Sequence, residues 1–300
     1  MTILQGVLLG LLQGIAEFLP ISSSGHLRVA QALFSLDNVP LLFDVALHVA
    51  TLAAVFIYFR RVIAKLFCVL FRWIFKKAEP SQSYSISNVK RQDERTVALA
   101  SSDEIGKKTI IALFLTTFVT GVLGIVSSKL IPELPMQAVA IGFLVTAVLL
   151  VISAAVSRKR ELPESKEIKD DFFDESNKGI SWKQALIIGV AQGIGTLPGI
   201  SRSGSTIAGA GLCGVRRRAA GDYSFLASIP AIFGAFILEL RHVGEMGETV
   251  GILPLIFGCI CAFASGYVSL SLFMKIIRKG RLEWFAAYLI PLGILVFIFL

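Results

Sequence analysis

Charged residues are scarce in this sequence. Only 17% of its 300 residues are Asp, Glu, Lys or Arg, whereas 55% are hydrophobic, and the mean hydropathy is +0.74. Soluble domains carry about 25% charged residues, so the composition excludes an ordinary soluble protein. Several apolar runs approach the ~20 residues that a helix needs to cross a bilayer. The composition therefore predicts an all-α polytopic membrane protein.

Cysteine is also rare, and the sequence gives no reason to expect a cleavable leader. The four cysteines lie in or beside apolar segments without a C-x-x-C spacing, which favours free buried thiols over disulfides or a metal site. The N-terminus has no basic region followed by a cleavage pattern, so no removable signal peptide is predicted. The net charge is +8, but the Lys and Arg residues lie between apolar segments, which indicates membrane topology and not nucleic-acid binding.

Polar side chains are concentrated in two short stretches within apolar sequence. The first motif, residues 13–26, reads QGIAEFLPISSSGH, and the second motif, residues 192–206, reads QGIGTLPGISRSGST. Ionisable groups at membrane depth are costly, so each one indicates a functional site. The second motif supplies an arginine that the first motif lacks. We interpret the two motifs as halves of one phosphate-binding site.

The two motifs belong to an internal repeat. With an offset of 179, residues 5–33 match residues 184–212 at ten of 29 positions without a gap. The first helical run, residues 4–18, rises only ~22 Å and cannot cross a ~30 Å hydrocarbon core. Each half is therefore predicted to be a re-entrant helix hairpin plus three transmembrane helices. Because three spans separate the hairpins, the hairpins enter from opposite faces as inverted repeats.

The repeats form a single integral membrane domain over residues 1–300. Repeat 1 covers about 1–156 and repeat 2 about 182–300, with polar cytoplasmic insertions at 76–108, predicted as a loop, and 157–180. The predicted spans are 41–59, 109–128, 136–156, 223–240, 251–274 and 284–300. This topology places 25 of the 29 Lys and Arg residues on one side, which is then the cytoplasm. The first hairpin and both termini then lie outside.

Glu17 and Gln13 are candidate metal ligands. They are four residues apart, so they share one helix face. Glu17 could bind a divalent cation or act as general acid or base, whereas Gln13 can donate or accept hydrogen bonds but cannot titrate. Together they make an incomplete cage that suits Mg²⁺, which keeps waters and binds phosphate oxygens. The alternative for Gln13 is a structural hydrogen bond at a helix end.

The serines of the first motif are candidate phosphate ligands. Ser22, Ser23 and Ser24 fall where the returning half-helix begins, and hydroxyls, backbone N–H groups and the helix dipole together make an anion site. Ordinary N-capping is the alternative for at least one of them. His26, close to these serines and to Glu17, is a candidate nucleophile, general base or leaving-group acid.

Arg202 is the cation of the second motif. It stands between Ser201 and Ser203, with Thr206 as a further donor, and it offers bidentate geometry for phosphate oxygens. The alternative is a salt bridge to Glu17, which would still bring the two motifs together. This inventory suits phosphoryl transfer or hydrolysis of an amphiphilic substrate.

Asp44 and His48 are four residues apart on the third helical segment. They either line the cavity or form a structural pair.

Both motifs closely resemble the signatures of the bacterial undecaprenyl-pyrophosphate phosphatase family, the bacitracin-resistance family. Residues 13–26 look like its Glu/Gln-x-x-x-Glu element followed by serine–glycine–histidine, and residues 198–206 look like its proline–glycine–x–serine–arginine–serine element. The resemblance implies an enzyme of the bacterial inner membrane that removes the terminal phosphate of undecaprenyl pyrophosphate. This reaction recycles the lipid carrier for cell-wall peptidoglycan synthesis. The resemblance also implies a site open to the periplasm and assistance by Mg²⁺ or Ca²⁺.

The same resemblance implies the roles of individual residues. Glu17, His26, Arg202 and a serine, for which we choose Ser23, would be catalytic, with Gln13 assisting. Gln13 replaces the glutamate common in the family, which weakens any two-carboxylate metal site. The expected partners are a polyprenyl pyrophosphate lipid and the bilayer, without nucleic acid. A homodimer is left open, because sequence does not define the oligomeric state.

Two other functions were weighed. A transporter or flippase of polyprenyl phosphates would share the architecture of inverted repeats with broken helices. The other class of membrane lipid phosphatase needs a second histidine after its serine–arginine pair, and none occurs here between Arg202 and His242. We set that class aside. The nucleophile stays open between serine, histidine and activated water.

Overall fold

The computed structural model describes residues 1–36, 39–75, 91–130, 134–160, 179–242, 250–278 and 281–300. Within these ranges the chain forms α-helices and one 3₁₀ turn, without strands. The helices are α1 (Ile3–Phe18), α2 (Ser23–Leu33), α3 (Leu41–Tyr58), α4 (Arg60–Phe75), α5 (Arg91–Leu130), α6 (Met136–Arg160), α7 (Trp182–Ile194), α8 (Arg202–Leu212), α9 (Arg217–Glu239), α10 (Ile252–Arg278) and α11 (Glu283–Phe299).

Five helices in the described ranges are long and apolar enough to cross a membrane: α3, α5, α6, α9 and α10. The all-α, multi-pass prediction is therefore confirmed. The sixth predicted span corresponds to α11, which has 17 residues and is one residue shorter than α3, the shortest of the five. Like α1, it belongs to the shorter apolar helices.

The two predicted hairpins begin in the same way. In α1, the Thr2 hydroxyl accepts from the backbone N–H of Gln5, whose side chain accepts from the Thr2 backbone N–H. In α7, Ser181 and Gln184 form the same capping box. A capping box satisfies two N–H groups that would otherwise have no partner at a helix start. The internal repeat therefore extends to the caps of both half-helices.

Each hairpin turns back through one residue with left-handed backbone. In the first hairpin this residue is Ser22 (φ 69°), directly before α2. In the second hairpin it is Gly199 (φ 86°), which is followed by Ser201 as the N-cap of α8. Both returning helices therefore start at a serine and point their N-termini into the protein.

The half-helices pack against spans of the opposite repeat. Helix α1 lies along α10, and α7 lies along α5. A Cβ atom added at Gly10 of α1 would overlap the carbonyl oxygen of Gly258, and one at Gly193 of α7 would lie 2.6 Å from Leu123 Cδ1. Helix α3 also packs on α9, and α6 packs on α11. This reciprocal pattern is compatible with two inverted repeats, whose opposite orientation and boundaries stay predictions.

Helix α5 begins at Arg91, within the 76–108 segment that polar composition predicted to be a loop. That prediction is wrong from Arg91 onward, and the earlier part of the segment lies outside the described residues. The physical reason is packing against α4, where Arg72 pairs with Asp103 and Ile105 is buried. Local polarity did not reveal this tertiary contact. Most of the second insertion, residues 161–178, also lies outside the described residues.

Candidate active site

The broken ends of both hairpins meet at a cavity of about 240 Å³. Helix α1 ends beside it, and α2 and α8 begin there. Seven of the predicted site residues line it: Glu17, Ser22, Ser23, Ser24, Ser201, Arg202 and Ser203. Two opposed helix N-termini give this cavity a positive potential, which suits an anion.

Glu17 is the centre of the site. Its Oε2 atom accepts hydrogen bonds from Gln13 Nε2 at 2.9 Å and from Ser23 Oγ at 2.6 Å. Its Oε1 atom pairs with the guanidinium of Arg202. Only 3% of the Glu17 side chain is exposed, so this carboxylate depends on its partners. The ion pair joins the two motifs across 185 residues.

The serines divide into caps and cavity groups. Ser22 and Ser201 accept hydrogen bonds from the backbone N–H three residues later, so both act as N-caps. Ser23 instead turns its hydroxyl to Glu17. Ser203 donates to the Leu19 carbonyl at 3.2 Å and so links the second hairpin to the first. The capping alternative is therefore observed for one serine in each motif.

His26 lies apart from the other predicted catalytic groups. Its Nδ1 is 2.8 Å from the Ser22 carbonyl, which can only accept, so Nδ1 carries the proton. Its Nε2 is 2.8 Å from the hydroxyl of Tyr288, on whose ring it stacks with centroids 5.7 Å apart. His26 is buried and is not among the cavity-lining residues of the described chain. Its catalytic role stays a prediction.

Tyr288 could not have been found by sequence reasoning. It lies 262 residues from His26 in an apolar helix, and no motif marks it.

Thr206 supports the site through the backbone of Arg202. Its hydroxyl donates to the backbone carbonyl of Arg202 at 2.6 Å and lies 3.4 Å from the Gln192 amide oxygen. Gln192 in turn donates to Thr120 at 3.1 Å. Thr206 is fully buried and does not line the cavity, whereas Thr120 does. Sequence reasoning missed Thr120, which belongs to α5 and to neither motif.

His48 also lines the cavity. Its Nδ1 donates to the Asp44 backbone carbonyl at 2.7 Å, and its Nε2 lies 3.4 Å from Glu17 Oε2. The carboxylate of Asp44 instead accepts from Gln31 at 2.8 Å and does not line the cavity. The sequence left open whether Asp44 and His48 line the cavity or form a structural pair. In the structure, His48 lines the cavity and Asp44 does not.

The oxygen atoms at Glu17 suit a hard cation, such as Mg²⁺ or Ca²⁺, that takes most of its ligands from water and substrate. The described residues contain no group of three or more His, Cys, Asp or Glu side chains able to hold a metal. Gln13 Oε1, however, is buried beside Glu17 and has no hydrogen-bond partner among the described residues. One amide oxygen and one carboxylate leave most of a Mg²⁺ or Ca²⁺ coordination sphere to water and substrate oxygens.

Fold and site together define a class: polytopic membrane proteins in which two interrupted helix hairpins bring a carboxylate, hydroxyls and an arginine to one buried cavity. A profile of the family described as "Bacitracin resistance protein BacA" matches residues 6–295. The chain belongs to this family, so the resemblance inferred from the two motifs is confirmed.

Several relatives match almost the whole chain. An undecaprenyl-diphosphatase of Treponema denticola is 40% identical over 294 residues, covering 98% of this chain and 96% of the relative. One of Methanosphaera stadtmanae is 36% identical, covering 99% and 97%. One of Borrelia recurrentis is 33% identical, covering 98% of each.

Proposed function

We propose that the chain hydrolyses undecaprenyl pyrophosphate to undecaprenyl phosphate and phosphate, which recycles the lipid carrier for cell-wall synthesis. One observation carries this proposal: Ser23 and Arg202 both contact Glu17 at a cavity bounded by two helix N-termini. The names of the relatives support the choice of substrate. A hydroxyl hydrogen-bonded to a carboxylate is the arrangement of an activated nucleophile, which favours chemistry over transport alone.

In the proposed first step, Ser23 Oγ attacks the terminal phosphorus while Glu17 Oε2 takes the hydroxyl proton. The bond between this phosphorus and the bridging oxygen breaks, and its electron pair leaves with undecaprenyl phosphate. The 2.6 Å distance from Ser23 Oγ to Glu17 Oε2 is within the range for such a transfer. Arg202 and the N-termini of α2 and α8 stabilise the charge on the phosphoryl oxygens.

In the second step, water attacks the phosphorus of phosphoserine. The bond from phosphorus to Ser23 Oγ breaks as the Glu17 carboxyl returns its proton to that oxygen. Both protons of the water leave with the released phosphate as H₂PO₄⁻, so atoms and charges balance. The other nucleophiles considered, His26 and activated water, would not leave a phosphoserine.

We further propose that Gln13 and Glu17 hold the Mg²⁺ or Ca²⁺ ion. When bound, the ion would neutralise charge on the pyrophosphate oxygens. The buried Gln13 Oε1, which lacks a hydrogen-bond partner among the described residues, supports this assignment.

The proposed topology places the site toward the periplasm and both termini outside the inner membrane. The Lys and Arg distribution supports it, because 25 of the 29 residues fall on the opposite side. A cysteine added at either terminus should react with a membrane-impermeant thiol reagent in intact cells. Homodimer formation stays a prediction.

Phosphate release tests the function. The purified protein in detergent, given undecaprenyl pyrophosphate and Mg²⁺, should release phosphate and should carry a trapped label on Ser23. Ser23→Ala should lower turnover at least about 10³-fold, as removal of a nucleophile does, and should abolish the label.

Ser203→Ala is the matched control, because its hydroxyl contacts the Leu19 carbonyl and not Glu17. It should have a smaller effect on turnover. Normal turnover by Ser23→Ala would overturn the serine mechanism. Absence of phosphate release from the wild type would overturn the function itself and favour the transporter.

A further inference from the structure

His48 approaches the cavity from a helix that belongs to neither motif. Helix α3 packs against α9 and α10, and this packing places the imidazole of His48 beside Glu17. The His48 side chain is 22% exposed, whereas that of Glu17 is 3% exposed. A ligand in the cavity can therefore reach the imidazole.

The ring of His48 is held in one orientation. Nδ1 is committed to the carbonyl of Asp44, one helical turn earlier. The hydroxyl of Thr51 donates to the backbone carbonyl of His48 at 2.8 Å, within the same helix, and not to the imidazole ring. Nε2 is therefore the nitrogen that faces the cavity.

The Nε2 atom of His48 lies close to Glu17 and Ser23, the two groups that react in the proposed mechanism. It lies 3.4 Å from Glu17 Oε2, the same atom to which Ser23 donates at 2.6 Å. Nε2 and Ser23 Oγ are therefore about 6 Å apart at most. A phosphoryl group attacked by Ser23 can therefore bring one of its non-bridging oxygens within hydrogen-bond distance of Nε2. By contrast, the ring nitrogens of His26 contact the Ser22 carbonyl and the Tyr288 hydroxyl, and His26 does not line the cavity.

We propose that His48 is a further catalytic residue, which carries a proton on both ring nitrogens and donates a hydrogen bond from Nε2 to a non-bridging oxygen of the terminal phosphate, while Nδ1 donates to the Asp44 carbonyl. This inference rests on the proposed function. The contact with Glu17 Oε2 is longer than a normal hydrogen bond, so a phosphate oxygen that enters the cavity competes well for the donor. Donors aimed at transferring phosphoryl oxygens stabilise the transition state.

Two amide substitutions separate the ring nitrogens. The amide nitrogen of Asn takes the place of Nδ1, and that of Gln takes the place of Nε2, so both variants stay polar but only His48→Gln reaches the cavity. His48→Asn should lower kcat about 100-fold, the loss typical of one such donor. His48→Gln should stay within about tenfold of wild type, because the hydrogen bond is retained.

The readout is phosphate release from undecaprenyl pyrophosphate and from the shorter farnesyl pyrophosphate. Because the contact is with the head group, His48→Asn should lose the same factor on both substrates. Equal activity of the two variants, or a loss confined to the long substrate, would overturn the proposal. Thermal unfolding of each variant in detergent shows whether it is folded. A wild type that hydrolyses neither substrate would instead overturn the proposed function.

Discussion

The two hairpins share a scaffold but carry different chemistry. With the repeat offset of 179, Glu17 corresponds to Thr196 and Ser23 corresponds to Arg202. Ser23 and Arg202 nevertheless contact the same carboxylate, each from its own hairpin. In the proposed mechanism, these equivalent positions therefore serve as nucleophile and phosphate ligand. An undiverged pair would place two arginines or two serines at one carboxylate, and neither set supplies both roles.

The glutamines of the two motifs show the same division. Gln13 donates to Glu17, whereas Gln192 donates to Thr120 and lies within hydrogen-bond distance of Thr206. Both are fully buried. The first glutamine therefore supports the carboxylate of Glu17, and the second holds α7 against α5 and α8. Sequence identity between repeats preserves position but not role.

The largest effect should come from removing the carboxylate. Glu17→Gln keeps the size of the side chain but removes the proton acceptor of Ser23 and the charge opposite Arg202. Loss of a general base costs about 10²–10⁴-fold, and the lost ion pair places this variant at the upper end. Phosphate release under saturating substrate measures it.

The control sits at the equivalent position of the second hairpin. The Thr196 hydroxyl donates to the Gly193 carbonyl of its own helix at 2.7 Å. Thr196→Val should therefore keep turnover near that of the wild type, although Thr196 lines the same cavity. If both variants lose activity equally, the two hairpins do not divide the chemistry as we describe.

Replacing each of the two glutamines should have an intermediate effect, on turnover for Gln13 and on stability for Gln192. Gln13→Ala should lower kcat about tenfold, the value of one lost hydrogen bond to a charged group, with little change in thermal stability. Gln192→Ala should instead lower the free energy of unfolding by about 1–3 kcal/mol, because Thr120 and Thr206 lose a buried partner. Turnover and thermal unfolding measured on both variants test this. The reverse pattern would contradict the assignment of roles.

Sequence reasoning reached the hairpins because their signals are local. Breaker residues and serine caps are read within each motif, and the repeat is found by comparing residues 5–33 with residues 184–212. The Glu17–Arg202 contact followed as one of two alternatives. The sequence does not show which helices pack against each helix face. Helical spacing states which side chains share a face but not which helix that face meets. For this reason the contact of His48 with Glu17 and that of His26 with Tyr288 appear only in the structure.

The last comparison concerns stability alone and uses the glycines at the two half-helix contacts. Gly10 and Gly189 are equivalent in the repeat, and a methyl group adds the same helix propensity at either position. At Gly10 the new Cβ would overlap the backbone carbonyl of Gly258, which cannot move alone. At Gly189 the nearest atoms are Val119 Cβ at 2.9 Å and the Thr116 carbonyl oxygen at 3.1 Å, so the overlap is much smaller than the one at Gly10.

Gly10→Ala should therefore destabilise by up to about 3 kcal/mol and Gly189→Ala by about 1 kcal/mol, the usual range for overpacking. Thermal unfolding of the two variants in one detergent isolates the packing difference, since the propensity gain cancels. Equal destabilisation would mean that α10 moves away from the new methyl group as readily as α5 does, despite the larger overlap at Gly10. The α1–α10 contact would then be no more rigid than its counterpart between α7 and α5.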